Sequence, residues 1–152
     1  MDDLTIKTKL LEELNRIIDE KINTIKSSIS DISDSMKNDT KSSAGDKFET
    51  GREMMQIELS KQQVQLKKQL QLKKDLELIK LNKSYTSIEF GSLVHTNKGL
   101  YLMAIAHGKV TIDSRDYYVL SMASPIGQQL KGKKTGDEIN FNNQLIKVLD
   151  IQ

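Results

Sequence analysis

The sequence predicts an α+β protein in two parts: a long N-terminal antiparallel coiled-coil hairpin over residues 1–83, then a small antiparallel sheet domain with one short helix over 84–152. Three observations predict it. Apolar residues step by three or four without a break along the first stretch. Only Gly45 and Gly51 occur before Gly91, whereas the other glycines and Pro125 all lie later. From Ile88 onward, short β-type runs alternate with turn residues.

The first helix is written in Leu11, Leu14, Ile18, Ile22, Ile25, Ile29, Ile32 and Met36, a single apolar stripe at helical spacing. A second helix is expected from about Arg52 to Leu81. Its residues are mostly good helix formers (Gln, Lys, Leu, Met, Glu), and Met55, Leu59, Leu66, Leu70, Leu72, Leu76 and Ile79 form a less regular seam. The polar stretch from Lys37 to Phe48, with Asn38, Ser42, Ser43 and Gly45, suits a chain reversal. At 1.5 Å per residue the returning arm from Asp46 to Lys80 would be roughly 50 Å long. A two-helix hairpin has no width for an enclosed substrate pocket, so its function is expected at its tip or along its sides.

In the second part, strands are expected within 88–96, 99–106, 117–120, 137–141 and 144–151, giving four or five in all. Asn97 to Gly99 and Asn142–Asn143 suit hairpin turns. Ser124 reads as the N-cap of a short helix, with Pro125 at its first position and Gly132 ending it.

Composition narrows the function classes. With 152 residues the chain has room for one or two small domains, and with no cysteine it has neither a disulfide framework nor a thiolate zinc site. No apolar run approaches the roughly 20 residues of a membrane span, so a soluble cytoplasmic protein with no membrane partner is expected. A net charge of +2 argues against indiscriminate coating of nucleic acid. That average hides a sorting of charge, because residues 60–83 hold seven lysines against Asp75 and Glu77 alone. Lys73 and Lys74 in that run are the candidate RNA contacts, although a solvated helix face is the default reading of such lysines, and the helix offers no aromatic platform for bases. His95 and His107 have no second ligand near them in sequence and read as structural or exposed. Gly132, Lys133 and Gly136 fit turn chemistry rather than a phosphate loop.

The run Ile88 to Ser92, then Tyr118 to Ser121, Ser124 to Lys133 and Gly136 to Glu138, resembles the C-terminal domain of the Gre transcript-cleavage factors of bacterial RNA polymerase. The element order resembles that family as well, since it places a long antiparallel coiled coil before an FKBP-like sheet domain. At the hairpin tip, residues 45–53, the family's two acids match Asp46 and Glu49 at the same spacing, while Lys47, Thr50, Gly51 and Arg52 depart from its pattern. The resemblance implies a monomeric accessory factor, inactive alone, whose partners are the bacterial RNA polymerase core and the nascent RNA 3′ end. It implies entry through the secondary channel and stimulation of the polymerase's own cleavage of backtracked RNA. Asp46 and Glu49 would be the catalytic and metal-ligating pair, acting on a magnesium ion shared with polymerase. Such a hard ion is commonly held by one or two carboxylates together with phosphate oxygens. The resemblance also assigns polymerase docking to the loop at Ser124 and Pro125, where Ala123 replaces a frequently acidic or polar neighbour.

Read without the family, Asp46 and Glu49 also fit a helix start, with Asp as cap and Glu three residues later. Two further functions stay open. A secondary-channel regulator that does not promote cleavage is suggested by the cations Lys47 and Arg52 beside the acids. A coiled-coil scaffold with no polymerase link is the third.

Overall fold

The computed structural model describes residues 3–39 and 45–152, with side chains described for 4–38 and 50–152. Two long helices lead: α1 (Asp3–Asp39) and α2 (Gly45–Glu77). They are followed by β1 (Leu93–Thr96), β2 (Gly99–Ala104), β3 (Gly108–Ile112), β4 (Arg115–Ser121), α3 (Pro125–Leu130), β5 (Glu138–Phe141) and β6 (Gln144–Ile151). The fold is α+β. The chain divides into two compact units, one of Asn15–Lys73 and one of Met1–Leu14 with Lys74–Gln152.

The Asn15–Lys73 unit is an antiparallel helix pair. Lys73 of α2 is ion-paired with Asp19 of α1, and residues 17–25 share a groove with residues 62–69. Ile18 and Ile22 are buried, while Ile25, Ile29, Ile32 and Met36 are half-buried, as the stripe on α1 predicts. On α2 the protected positions Met55, Leu59, Gln62, Leu66, Gln69 and Lys73 alternate steps of four and three in a heptad seam, and Gly51 and the expected Leu72 are half-buried beside it. Leu70, expected in that seam, is instead 40% exposed. The helix also begins at Gly45, earlier than the Arg52 expected from composition.

In the other unit the strands form a sheet in the order β3-β4-β2-β1-β6-β5. It has six strands where four or five were expected, and it is mostly rather than wholly antiparallel, because β2 and β4 run parallel. The reason is a skip. After β2 the connection over 105–107 carries the chain past one strand position to the edge, where β3 forms, and β4 returns into the gap between them. Asp113–Ser114 and Asn142–Asn143 have positive φ and join partners Ile112↔Arg115 and Phe141↔Gln144, the two-residue turns whose twist suits hairpins.

One sheet face packs Val94, Met103, Ile146 and Val148 against Ile88 and Leu130, with Ile139 and Ile151 completing the cluster. Side chains of the opposite set, including Leu93, Leu102, Tyr117 and Val119, are also buried. Within this unit Ile6 lines a cleft with Ile112 and Tyr117, and Lys9 Nζ lies 2.9 Å from Asp113 Oδ2. Ile6, Leu10 and Leu14 of α1, Leu76 of α2 and Ile79 just beyond it are buried, so the base of each helix contributes apolar surface to the unit's core.

Candidate functional site

Backbone at Asp46 and Glu49 is helical, at the beginning of α2. The side chains of both lie outside the described residues. Among the described residues there is no cluster of three or more His, Asp or Glu side chains able to hold a metal ion. Nor is any helix of the described residues long and apolar enough to cross a membrane.

The two lysines singled out on α2 differ in their surroundings. The Lys73 ammonium is engaged by Asp19 across the helix pair, whereas Lys74 is exposed with no ion-pair partner among the described residues. Lys73 therefore holds the hairpin register. Of these two, Lys74 is the one that presents an unneutralised charge to solvent.

The Ser124 loop is held rigidly by its own hydrogen bonds. Ser124 has extended backbone (φ −65, ψ 157) and its Oγ accepts from the Gly127 N–H at 3.0 Å while donating to the Ser121 carbonyl at 2.7 Å. This closes the N-terminal turn of α3 in the way expected of a serine N-cap, and Pro125 at the first helical position gives up an N–H that would have no partner there. The Gln128 side-chain amide donates to the Ala123 carbonyl at 2.9 Å, tying the exposed Ala123 into the same loop. Gly127 is required by close approach: a Cβ there would sit 2.2 Å from the Ser121 carbonyl oxygen and 2.8 Å from Ser124 Oγ. Beneath the loop Leu130 is fully buried and Ile126 packs on the core cluster. The result is a firm edge carrying Ala123 and Pro125 outward.

A second constellation, which sequence reasoning missed, surrounds Tyr85 in the connection from α2 to β1. Lys7 Nζ lies 4.7 Å from the Tyr85 ring centre and Lys83 Nζ 5.2 Å from it. Lys83 also pairs with Glu89 at 2.6 Å. Lys7 is 3% exposed, and a buried ammonium on an aromatic face is a favourable arrangement. Tyr85 Oη donates to the Phe90 carbonyl at 3.4 Å. It leaves no room beside Gly91, whose φ is +94 and whose Cβ would lie 2.6 Å from that oxygen. Burial pushes the Tyr85 hydroxyl above its ordinary value, with Lys83 acting against it. The hydrogen bond to Glu89 holds the Lys83 ammonium above the usual lysine range. The signal available in sequence was Lys83, Tyr85 and Glu89 in one short connection. Lys7, the distant partner, carries no local mark.

No family model matches the chain, and no curated protein does. A solved structure of the transcription factor Gfh1 aligns with 93% of this chain and 92% of its own, at 16% identity and a TM-score of 0.34.

Proposed function

We propose that the chain is a Gre-like accessory factor that enters the secondary channel of bacterial RNA polymerase and stimulates the polymerase's own cleavage of backtracked RNA. The observation that carries this reading is the position of the acid pair. Asp46 and Glu49 stand at the very beginning of a 33-residue helix, not on its flank. Carboxylates in the first turn of a helix are stabilised by the positive end of the dipole, so the place suits two ionised oxygen donors. The motif run from Ile88 to Glu138 and the rigid Ser124 edge support the docking half of the proposal.

As a donor set, two carboxylates three residues apart fit a magnesium ion whose remaining ligands come from polymerase, water and phosphate oxygens. Such an ion, when bound, supplies water activation and stabilisation of the leaving oxygen in phosphodiester hydrolysis. The chain's own contribution is positional. Asp46 and Glu49 would provide oxygen ligands, the helical backbone sets their spacing, and the Lys73–Asp19 pair and heptad seam join α2 to α1. The Ser124 loop presents a preformed edge to the partner, which limits the ordering cost of docking.

Purified polymerase stalled and backtracked on a defined template tests the proposal. Addition of the protein with magnesium should shorten the transcript from its 3′ end, and the Asp46→Ala, Glu49→Ala double variant should still bind polymerase without shortening it. Absence of shortening by the wild-type protein overturns the cleavage reading. Binding without cleavage by the wild type would identify a non-cleaving channel regulator, the reading that Lys47 and Arg52 beside the acids favour. Failure to co-purify with core polymerase would remove both.

A further inference from the structure

On the side of α2 away from its seam, Met54, Ile57 and Val64 are 67%, 58% and 65% exposed. With Lys61 they fall at steps of three and four, so they occupy one helical face. Exposed apolar residues scattered singly need no explanation. These are not scattered: Ile57 and Val64 line a shallow cleft of about 440 Å³ with Ser60, Lys61 and Gln65. Gln65 also lines the neighbouring groove of about 540 Å³ between α2 and α1, whose walls include Ile17 and Ile25. The apolar strip therefore continues across Gln65 into the groove. There Gln69, 8% exposed, has an Oε1 acceptor with no hydrogen-bond partner. A buried acceptor left unpaired is costly, and a donor arriving in the groove would relieve that cost.

Charge selects the occupant. Lys61 and Lys68 share the face of the strip and have no ion-pair partner among the described residues; the acids nearby are Glu58 and, in the groove wall beside Lys21, Glu20, which is already paired with Arg16. Lys73, by contrast, is already neutralised by Asp19. We infer that this face binds an amphipathic helix of a partner protein, with Leu, Ile or Val at one-turn spacing, flanked by Asp and Glu, and carrying a side-chain donor for Gln69. Helix-in-groove recognition reads such a strip through apolar anchors, with charge setting orientation and rate. RNA would meet the lysines but leave the apolar strip uncovered, and residues 50–77 of α2 contain no aromatic on which a base could stack. A lipid surface would cover the strip with hydrocarbon and keep its headgroup donors at the water boundary, away from the apolar anchors beside Gln69. A second copy of the same face would oppose Lys61 and Lys68 to their own kind. The inference does not rest on the polymerase proposal.

The test uses the full chain and four labelled probes: a three-heptad peptide with Leu anchors, Glu flanks and one central Gln; the same peptide with every Glu replaced by Lys; a short single-stranded RNA; and vesicles of anionic phospholipid. Fluorescence anisotropy should show saturable binding of the acidic peptide that weakens with added salt. Val64→Glu, at an exposed position and with its fold checked by circular dichroism, should weaken it about tenfold or more. The Lys61→Glu, Lys68→Glu double variant should reverse the preference toward the lysine peptide. The inference is overturned by no saturable binding of the acidic peptide, by binding indifferent to Val64→Glu, or by tighter binding of the lysine peptide, the RNA or the vesicles to the wild type. A dimer in sedimentation that Val64→Glu dissolves would overturn it as well.

Discussion

In the sheet-bearing unit, Leu93, Val94, Leu102, Met103, Leu130 and Val148 are sealed from solvent, whereas beyond Ile22 no described α1 side chain is more than half-buried. Along α2 from residue 50 to 73 the one buried side chain is Gln69, an amide. The contrast follows from geometry. A sheet with two covered faces surrounds its central residues on every side, but a helix pair touches along one line and leaves the flanks of each seam residue in water. The arm is thus held by a row of partial contacts that add along its length, and local opening from its far end is cheap compared with opening the sheet unit.

The sharpest way to break this comparison is one truncation in each region. Leu130→Ala empties a fully enclosed site under the Ser124 loop and should cost about 2–5 kcal/mol of unfolding free energy. Ile32→Ala, at a half-buried arm position, should fall well below that range because the site can collapse or fill with water. Urea denaturation followed by circular dichroism measures both. Equal losses would mean that the arm is as tightly packed as the sheet.

A smaller effect with the opposite sign sharpens the same contrast. Gln69→Leu replaces the unpaired acceptor in the seam by an apolar group of similar size and should stabilise the arm by about 1 kcal/mol. Slower hydrogen exchange at amides of residues 59–69, with no change in the strands, is the expected readout. If the variant is destabilised, Gln69 has a partner in solution and the acceptor is satisfied there.

Gln69 also shows why the arm was only partly legible in the sequence. The α1 seam is apolar at every step, so its spacing alone predicts it. The α2 seam passes through Gln62, Gln69 and Lys73, and apolar periodicity cannot register polar residues. Leu70, the apolar neighbour of Gln69, drew the expectation instead and proves exposed. In the sheet, the apolar run of β2, the β-type runs of β4 and β6 and the Ser124 cap were legible because each depends on local residues. Strand β3 was not, since Gly108–Ile112 is an edge strand with a single buried residue, Val110. Its turn at Asp113–Ser114 lacks the glycine or asparagine that marks such turns. The parallel β2–β4 pair depends on which strand fills a gap, a tertiary choice that no local pattern encodes. Of the candidate site, the spacing of Asp46 and Glu49 and the cap at Ser124 could be read directly. The Lys73–Asp19 pair and Lys7 over Tyr85 join residues remote in sequence and required the fold.

The smallest expected effect concerns the connection around Tyr85, and its sign can be worked out. Burial raises the Tyr85 hydroxyl, and the Glu89 hydrogen bond raises the Lys83 ammonium. In each case the folded protein holds the proton more tightly than the unfolded chain does. The stability that these groups contribute is therefore fully present below the ordinary phenol and ammonium values, and it is lost as pH rises through the elevated folded values. Unfolding free energy should decline above about pH 10, where unfolded tyrosine begins to ionise. Tyr101 belongs to the same account, because burial and the neighbouring Tyr118 raise it too. Tyr85→Phe should flatten part of that alkaline decline and leave the remainder to Tyr101 and Lys83, while Lys83→Met should remove the ion-pair share and, by withdrawing the cation that lowers Tyr85, enlarge the tyrosine share. Lys83 is solvent-exposed, so its share should also shrink with added salt, whereas the tyrosine share should persist because it comes from burial. A decline that disappears entirely in high salt would assign the whole effect to surface charge and leave the packing of Tyr85 against Gly91 without a role in it.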